Sequence, residues 1–323
     1  DNIRSKGGGV LLQALLDQLR DVKLRMFIND DFRFANKISI NWIIHKVPNN
    51  FIFKFLKNIQ SIFYNSDIKL YFGNIPPFFK TKNSYLFIQN ALLLEVKNIK
   101  YYNNLFLKIQ FIINFLLLRI FGRNCDKIIL QNNHSVSIAR KIWNNDVIQF
   151  PFIPSMKKVP TLKKKYEFIF VGGFDKHKNL SNVIQSWELC KKLGVLSSIA
   201  ITVTESEFKK YFSSLNTNDL NIVFLGHLSH TETMTAISES KCLIFSSTIE
   251  SLALPLIEAK FCNVDIIASE QDFVYEVCNP NTTFVETNIN SICRAIFRYK
   301  KIEKRTKLLN IKNIKKFKQH ILK

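Results

Sequence analysis

Between residues 166 and 269 short apolar runs alternate with amphipathic stretches, at an interval that few folds can accommodate. EFIFVGG (167–173), SIAITVT (198–204), NIVFLG (221–226), CLIFSS (242–247) and VDIIAS (264–269) each read as a buried strand. NLSNVIQSWELCKKLG (179–194), HTETMTAISES (230–240) and LPLIEAKFC (254–262) read as helices, the first closed by Gly194. Strands spaced this way pair in parallel through crossover helices, so this half is predicted to be a doubly wound α/β domain. In such a sheet ligands bind beyond the carboxyl ends of the strands, so the residues following each strand matter most.

The preceding half is less regular. GGGVLLQALLDQL (7–19) reads as a glycine turn opening an amphipathic helix. Asp1 rather than Met stands first, and the strand expected to feed the glycines reads as truncated. SIFYN (61–65), KLYFG (69–73), SYLFIQN (84–90) and DKIILQN (126–132) look like strands, with turns at Gly73-Asn74 and Pro76-Pro77. SVSIARKIW (135–143) reads as a helix and VIQFPFIP as a strand leaving the domain. PFIPSMKKVPTLKKKY (151–166) is rich in Pro and Lys and reads as a linker. A length of 323 residues also suits two domains. The expected division is 1–157, 158–305 and a basic C-terminal helix or tail at 306–323.

The net charge of +21 is uneven: 22 basic against 9 acidic residues up to 157, and 24 against 16 beyond it. Anionic membranes, phosphorylated ligands and nucleic acid all suit such a balance. The aromatics form no RNA-binding pattern, so no nucleic-acid partner is expected. The six cysteines contain no CxxC pair and no His at zinc-finger spacing, and read as buried free thiols.

ESLALPLIE (250–258) sets two acids around an apolar run just after CLIFSS, which ends near Ser247. Glu250 falls in the loop over the sheet edge, and Leu254-Pro255 opens the next helix, whose N-terminal N–H groups favour phosphate. Glu258, about one turn in, can accept two hydrogen bonds from a vicinal diol such as a ribose; Glu250 can accept from a sugar hydroxyl. The alternative is one helix acid stabilised by the macrodipole and one loop acid. FVGGFDKHKNL (170–180) repeats the logic on the first strand: Gly172 and Gly173 permit close backbone approach, and Lys178 can place an ammonium on a diphosphate or remain a solvated turn lysine.

This order of strand, glycines, lysine, then strand and paired acids resembles the retaining glycosyltransferases of family 4, the group 1 family with the GT-B fold. VGGFDKHKNL looks like that family's VGTLEPRKNL, and STIESLALPLIEA like its S-x-x-E-GFGLPxLEA. The likeness covers most of 168–297, and GGG at 7–9 resembles the family's N-terminal glycine loop. It implies two Rossmann-like, doubly wound domains facing a central cleft. Glu258 would hold the nucleotide ribose, Glu250 would face the transferred sugar, and Lys178 would neutralise the leaving diphosphate. N–H groups near Leu254 would assist, with Gly172, Gly173, Pro255 and Ser247 on the nucleotide side and Gly8 and Gly9 closing from the first domain. A retaining hexosyl transfer from a UDP- or GDP-sugar is implied, with no cofactor and no metal. The absence of an Asp-x-Asp motif agrees with GT-B.

Three positions depart from the family pattern. Gly173 replaces a common Arg, Ala253 replaces a Gly, and LFIQN offers Gln89 and Asn90 where many members have a sugar-contacting His. His134 is a further candidate on the acceptor side, or an ordinary helix-start residue. LKIQFIINFLLLRIFGR (107–123) is apolar with basic ends, and no run of 18 apolar residues is present, so it reads as too short to span a bilayer. It is expected to lie on a membrane, with Lys108, Arg119 and Arg123 at lipid phosphates, or to be a core helix. The resulting expectation is a cytoplasmic enzyme, peripheral on the inner face of the membrane. It would act on a glycan or undecaprenyl-diphosphate-linked acceptor in bacterial surface-polysaccharide (O-antigen, capsule or lipopolysaccharide) assembly. A nucleotide-sugar epimerase of the same fold and a non-catalytic membrane-associated sugar-nucleotide-binding protein are the alternatives.

Overall fold

In the computed structural model, residues 6–48, 50–154, 156, 162–195, 197–300, 312, 313 and 319 are described. The chain divides into two units, Asp1–Ser155 with Ile311–Lys323, and Met156–Asn310.

Unit 1 runs α1 (Lys6–Gln18), β1 (Leu24–Asn29), β2 (Trp42–Val47), α2 (Phe51–Ile62), β3 (Lys69–Phe72), β4 (Ser84–Phe87), α3 (Leu105–Phe121), β5 (Lys127–Leu130), α4 (Asn133–Ile142), β6 (Asp146–Gln149) and β7 (Phe152–Ile153). Strands β3-β4-β5-β6 form one parallel sheet and β1-β2 a separate parallel pair. Leu16, Ile28, Phe32 and Trp42 make a small core over that pair. Trp42 Nε1 is satisfied there by the Leu19 carbonyl at 3.1 Å.

Three expectations for this unit are corrected. Gly7–Gly9 lie inside the first turn of α1 rather than in a turn before it, so their backbone is helical despite the cost of glycine there. SIFYN is not a strand: its first two residues end α2. β1 and β2 arise from segments with no clear alternation in the sequence. The strand expected over VIQFPFIP is divided into β6 and β7, and Phe152 of β7 is fully buried against Phe87, ring centroids 5.1 Å apart; the division between the units at Ser155 and Met156 falls inside the expected linker.

The third correction concerns α3. Asn104 caps it by accepting from Leu107 N at 2.7 Å, and a 3-10 turn prolongs it to Asn124. The resulting 20-residue helix, Leu105–Asn124, is long and apolar enough by length and composition to cross a membrane. The few polar residues inside it hid that length. Nor is it a core helix: only Phe111, Leu118 and Gly122 are buried. Leu105, Phe106, Leu107, Ile109, Ile112, Ile113, Leu116 and Ile120 are all exposed.

Unit 2 runs β8 (Tyr166–Phe170), α5 (Leu180–Lys192), β9 (Ile199–Ile201), α6 (Glu205–Tyr211), β10 (Ile222–Phe224), α7 (His230–Ser238), β11 (Ser240–Phe245), α8 (Leu254–Phe261), β12 (Asp265–Ser269), α9 (Asp272–Tyr275), β13 (Thr282–Phe284) and α10 (Ile289–Tyr299). Its six strands are parallel in the order β10-β9-β8-β11-β12-β13. The order reverses between β8 and β11, the place where doubly wound sheets open a crevice for ligands. β8, β9, β11 and β12 are fully buried along most of their length, as apolar β-branched and aromatic runs covered on both faces must be. Trp187 fills the centre of the core, its indole N–H donating to the Leu220 carbonyl at 2.7 Å. Five of the six cysteines are buried, Cys262 partly so, and all are free.

A short parallel pair in unit 1 joins β7 to β14 (Lys312–Asn313). The predicted helix over 306–323 lies, apart from Lys312, Asn313 and Gln319, outside the described residues.

Candidate active site

The reversal point gathers the residues singled out after β8 and β11. β11 ends at Phe245, and Ser246 Oγ donates to the Lys178 carbonyl at 2.7 Å. Thr248 N donates to the His177 carbonyl at 2.9 Å. These bonds hold the two loops together, and the side chains follow: Lys178 Nζ pairs with the Glu250 carboxylate. Both are mostly buried, at 21% and 15% side-chain exposure, so the pair is screened less than a surface bridge.

Burial pushes the Glu250 carboxyl up. The charges of Lys178 and His177, with hydrogen bonds from Lys178 and Ser247, outweigh it and leave the group below the ordinary carboxylate value. His177 is held below its usual value by burial, against the pull of the Glu250 and Asp175 carboxylates. Ser247 itself is buried, and its carbonyl accepts from Ser269 Oγ at 2.7 Å.

The glycines after β8 play different parts. Gly172 has φ +148°, and the Thr202 hydroxyl accepts from its N–H at 2.9 Å. A Cβ there would meet the Phe170 ring at 3.2 Å. A Cβ at Gly173 would meet nothing within 4 Å, so a side chain can start there without a clash.

α8 starts immediately beyond Ala253, with Leu254 and Pro255 in its first turn. Ala253 is buried at φ 55°, ψ 50°, in the left-handed region. The departure from Gly here is therefore a matter of backbone strain, about 1–2 kcal/mol for an L-residue, rather than of close approach. Glu258, in the second turn of α8, is buried, and its Oε1 lies 2.9 Å from His230 Nε2. His230 was not singled out in the sequence. It stands 28 residues before its partner with no local pattern to mark it.

The remaining candidates lie in unit 1. Gly8 is buried and Gly9 half-buried in α1. Gln89 N and Asn90 N donate to Asn74 Oδ1 at 3.2 and 3.0 Å, and Asn90 Oδ1 accepts from Leu92 N at 3.1 Å. His134 is exposed in the first turn of α4. Among the described residues no three His, Cys, Asp or Glu side chains gather to hold a metal ion.

The geometry of unit 2 thus offers a cation, a carboxylate, a glycine turn and a helix N-terminus around one strand reversal, with a second buried carboxylate in α8. Residues 152–316, just over half of the chain, match the family model described as glycosyl transferases group 1. The chain belongs to this family. A search of curated protein sequences finds no match.

Solved structures resemble the glycosyltransferase chain over most of its length. Sucrose-phosphate synthase from Thermosynechococcus elongatus superposes with a TM-score of 0.67 at 13% identity, over 90% of this chain and 83% of that one. WaaG, a glycosyltransferase involved in lipopolysaccharide biosynthesis, gives 0.63 at 9% identity, over 91% and 86%. Anabaena Alr3699/HepE, solved with UDP and glucose, gives 0.58 at 10% identity, over 90% and 86%. At these identities the likeness is one of fold, and that fold is GT-B.

Proposed function

We propose that this chain is a retaining, metal-independent hexosyltransferase of family 4. It would move a sugar from a UDP- or GDP-linked donor to a glycan acceptor. The observation that carries the reading is the Lys178–Glu250 pair at the strand reversal, with the α8 N-terminus and Glu258 following in sequence. In the proposed roles, Lys178 and the Leu254 N–H receive the leaving diphosphate beside Gly172 and Gly173. Glu258 holds the ribose, and Glu250 meets the transferred sugar, its carboxyl ionised for that purpose. Stabilising charge on the departing diphosphate is then the chief contribution of the protein. Gly8 and Gly9 keep the donor-side role that the family resemblance implies, and Gln89, Asn90 and His134 the acceptor side. The Anabaena neighbour's UDP and glucose agree with a nucleotide-sugar donor.

Titration calorimetry with UDP, GDP and ADP, with and without added divalent metal, tests this. Tight metal-independent binding of one nucleotide, lost in Glu258→Gln, is expected. Binding of none would remove the donor site, and binding without turnover over a broad acceptor panel would favour a non-catalytic sugar-nucleotide protein.

The acceptor we propose is lipid-linked, an undecaprenyl-diphosphate glycan of surface-polysaccharide assembly, reached from the inner face of the cytoplasmic membrane. The exposed apolar face of α3 supports this reading, with Lys108, Arg119 and Arg123 able to meet anionic headgroups. α3 connects β4 to β5, which are hydrogen-bonded neighbours in one sheet. A spanning orientation would drag that sheet into hydrocarbon, so the helix lies in the interface instead. The role of WaaG in lipopolysaccharide biosynthesis points the same way. Co-sedimentation with anionic vesicles and not with neutral ones is expected; equal partition would sink the electrostatic part.

A further inference from the structure

Glu258 presents a physical problem that its proposed role does not solve. Its side chain is only 4% exposed, and an ionised carboxylate cannot be buried at that depth without compensation. The N-terminus of α8 lies a full turn away and adds little there. The compensation comes from His230, whose Nε2 sits 2.9 Å from Glu258 Oε1.

His230 is not a loosely placed side chain. It is the first residue of α7, whose entry is fixed by a capping box. Ser229 N donates to Glu232 Oε2 at 2.7 Å, Glu232 N to Ser229 Oγ at 3.3 Å, and Thr233 Oγ1 to the Ser229 carbonyl at 2.8 Å. One turn further along, Cys262 Sγ, just past the end of α8, reaches the Met234 carbonyl of α7 at 3.6 Å. The imidazole and the carboxylate are therefore each carried on a helix, and the two helices are joined by a second contact. A ligand group held on rigid elements by a supporting hydrogen bond is oriented before its ligand arrives.

We infer that His230 is a positioning residue for nucleotide binding: its Nε2 fixes the Glu258 carboxylate so that the free oxygen meets the ribose hydroxyls of the donor. This rests on the reading of Glu258 as the ribose-binding group. His230 itself, at 28% side-chain exposure, touches the carboxylate and acts through it. The division of labour is specific. Lys178 and the α8 N-terminus address the diphosphate, which ribo- and deoxyribonucleotides share. The Glu258–His230 pair addresses the diol, which only the ribonucleotide has.

The experiment compares UDP with 2′-deoxy-UDP, and GDP with 2′-deoxy-GDP, by calorimetry on the full chain. Wild type should prefer the ribonucleotide by roughly 10- to 100-fold, as the loss of a hydrogen bond to a charged group requires. His230→Ala should bring the ratio close to one while diphosphate binding persists, and His230→Asn, which keeps a donor, should restore part of it. Full ribose preference in a folded His230→Ala overturns the inference while leaving the Glu258 assignment standing. A wild type with no ribose preference, or with no nucleotide binding, overturns the Glu258 assignment and this inference with it. If His230→Ala fails to fold, His230→Asn and His230→Gln supply the same ratio. A preference unchanged in both and abolished in Glu258→Gln again counts against His230.

Discussion

The two units solve the problem of apolar surface in opposite ways. Among the described residues, unit 2 leaves five large apolar side chains exposed: Leu193, Tyr211, Phe261, Tyr275 and Val285. Unit 1 leaves seventeen, eight of them on α3. Unit 2 covers its sheet on both faces, as a parallel sheet demands. Unit 1 has a four-stranded sheet, a separate pair and a helix turned outward. Its net charge is also higher: Asp1–Ser155 with Ile311–Lys323 hold 26 basic against 9 acidic residues, and Met156–Asn310 hold 20 against 16. One half of the chain is built as a sealed scaffold for a ligand. The other keeps a face that water alone would not select, since contiguous apolar patches of this kind mark interaction surfaces.

Truncating a leucine in each unit sharpens that contrast most strongly. Leu243→Ala in β11, where the side chain is fully buried, should cost about 2–5 kcal/mol in denaturant unfolding. Leu116→Ala on α3, where it is 47% exposed, should stay within about 0.5 kcal/mol. Equal losses would mean that α3 is covered and that the comparison fails.

Function should divide in the same sense. Lys178→Ala should lower kcat by about 10²–10³-fold, the scale of one lost stabiliser of developing charge, with folding intact. Ile113→Glu on α3 should leave soluble-acceptor turnover unchanged and abolish anionic-vesicle binding.

Acid should find unit 2 through its active-site ionisations. The native Glu250 carboxyl lies below the ordinary carboxylate value, about 4.3. Between the two the unfolded chain holds a proton that the native one does not. The stability this group supplies is therefore full above the ordinary value and lost as pH falls through the native one. His177 acts in the same direction from higher pH: its native imidazole stays neutral below the ordinary value of about 6.5, where the unfolded chain charges. An acid titration of unfolding free energy should show both declines, and Glu250→Gln should flatten the lower one. A smaller effect, about 1 kcal/mol of added stability, is expected for Ala253→Gly, which removes the left-handed strain at the α8 entry. A null or negative change would show that the buried methyl repays its strain by packing.

The same contrast decided what could be read from the residues. In unit 2 each strand is a short, fully apolar run followed by a turn and a helix cap, so local pattern and tertiary role agree. Lys178, Glu250 and Ser247 were reachable because they lie at strand ends, where topology alone brings them together. In unit 1 Ile, Phe, Lys and Asn recur through helix and strand alike. SIFYN could therefore pass for a strand although it closes α2, and β1 and β2 went unmarked. The glycines at 7–9 suggested a turn because composition outweighs position when the flanking chain gives no period. His230 was out of reach for another reason: its contact depends on how α7 packs against α8, and no spacing encodes that.

The Lys178–Glu250 pair has an implication for how the site would meet its donor. Cation and anion offset each other there, which leaves the α8 N-terminus as the positive end not already matched by an acid of that pair. On the proposed roles, a donor diphosphate draws the ammonium toward itself, and the same movement strips Glu250 of its counter-ion. The acid then becomes available at the moment a sugar is present to occupy it. One exchange of partners would arm both halves of the chemistry, much as a latch releases two bolts with a single key.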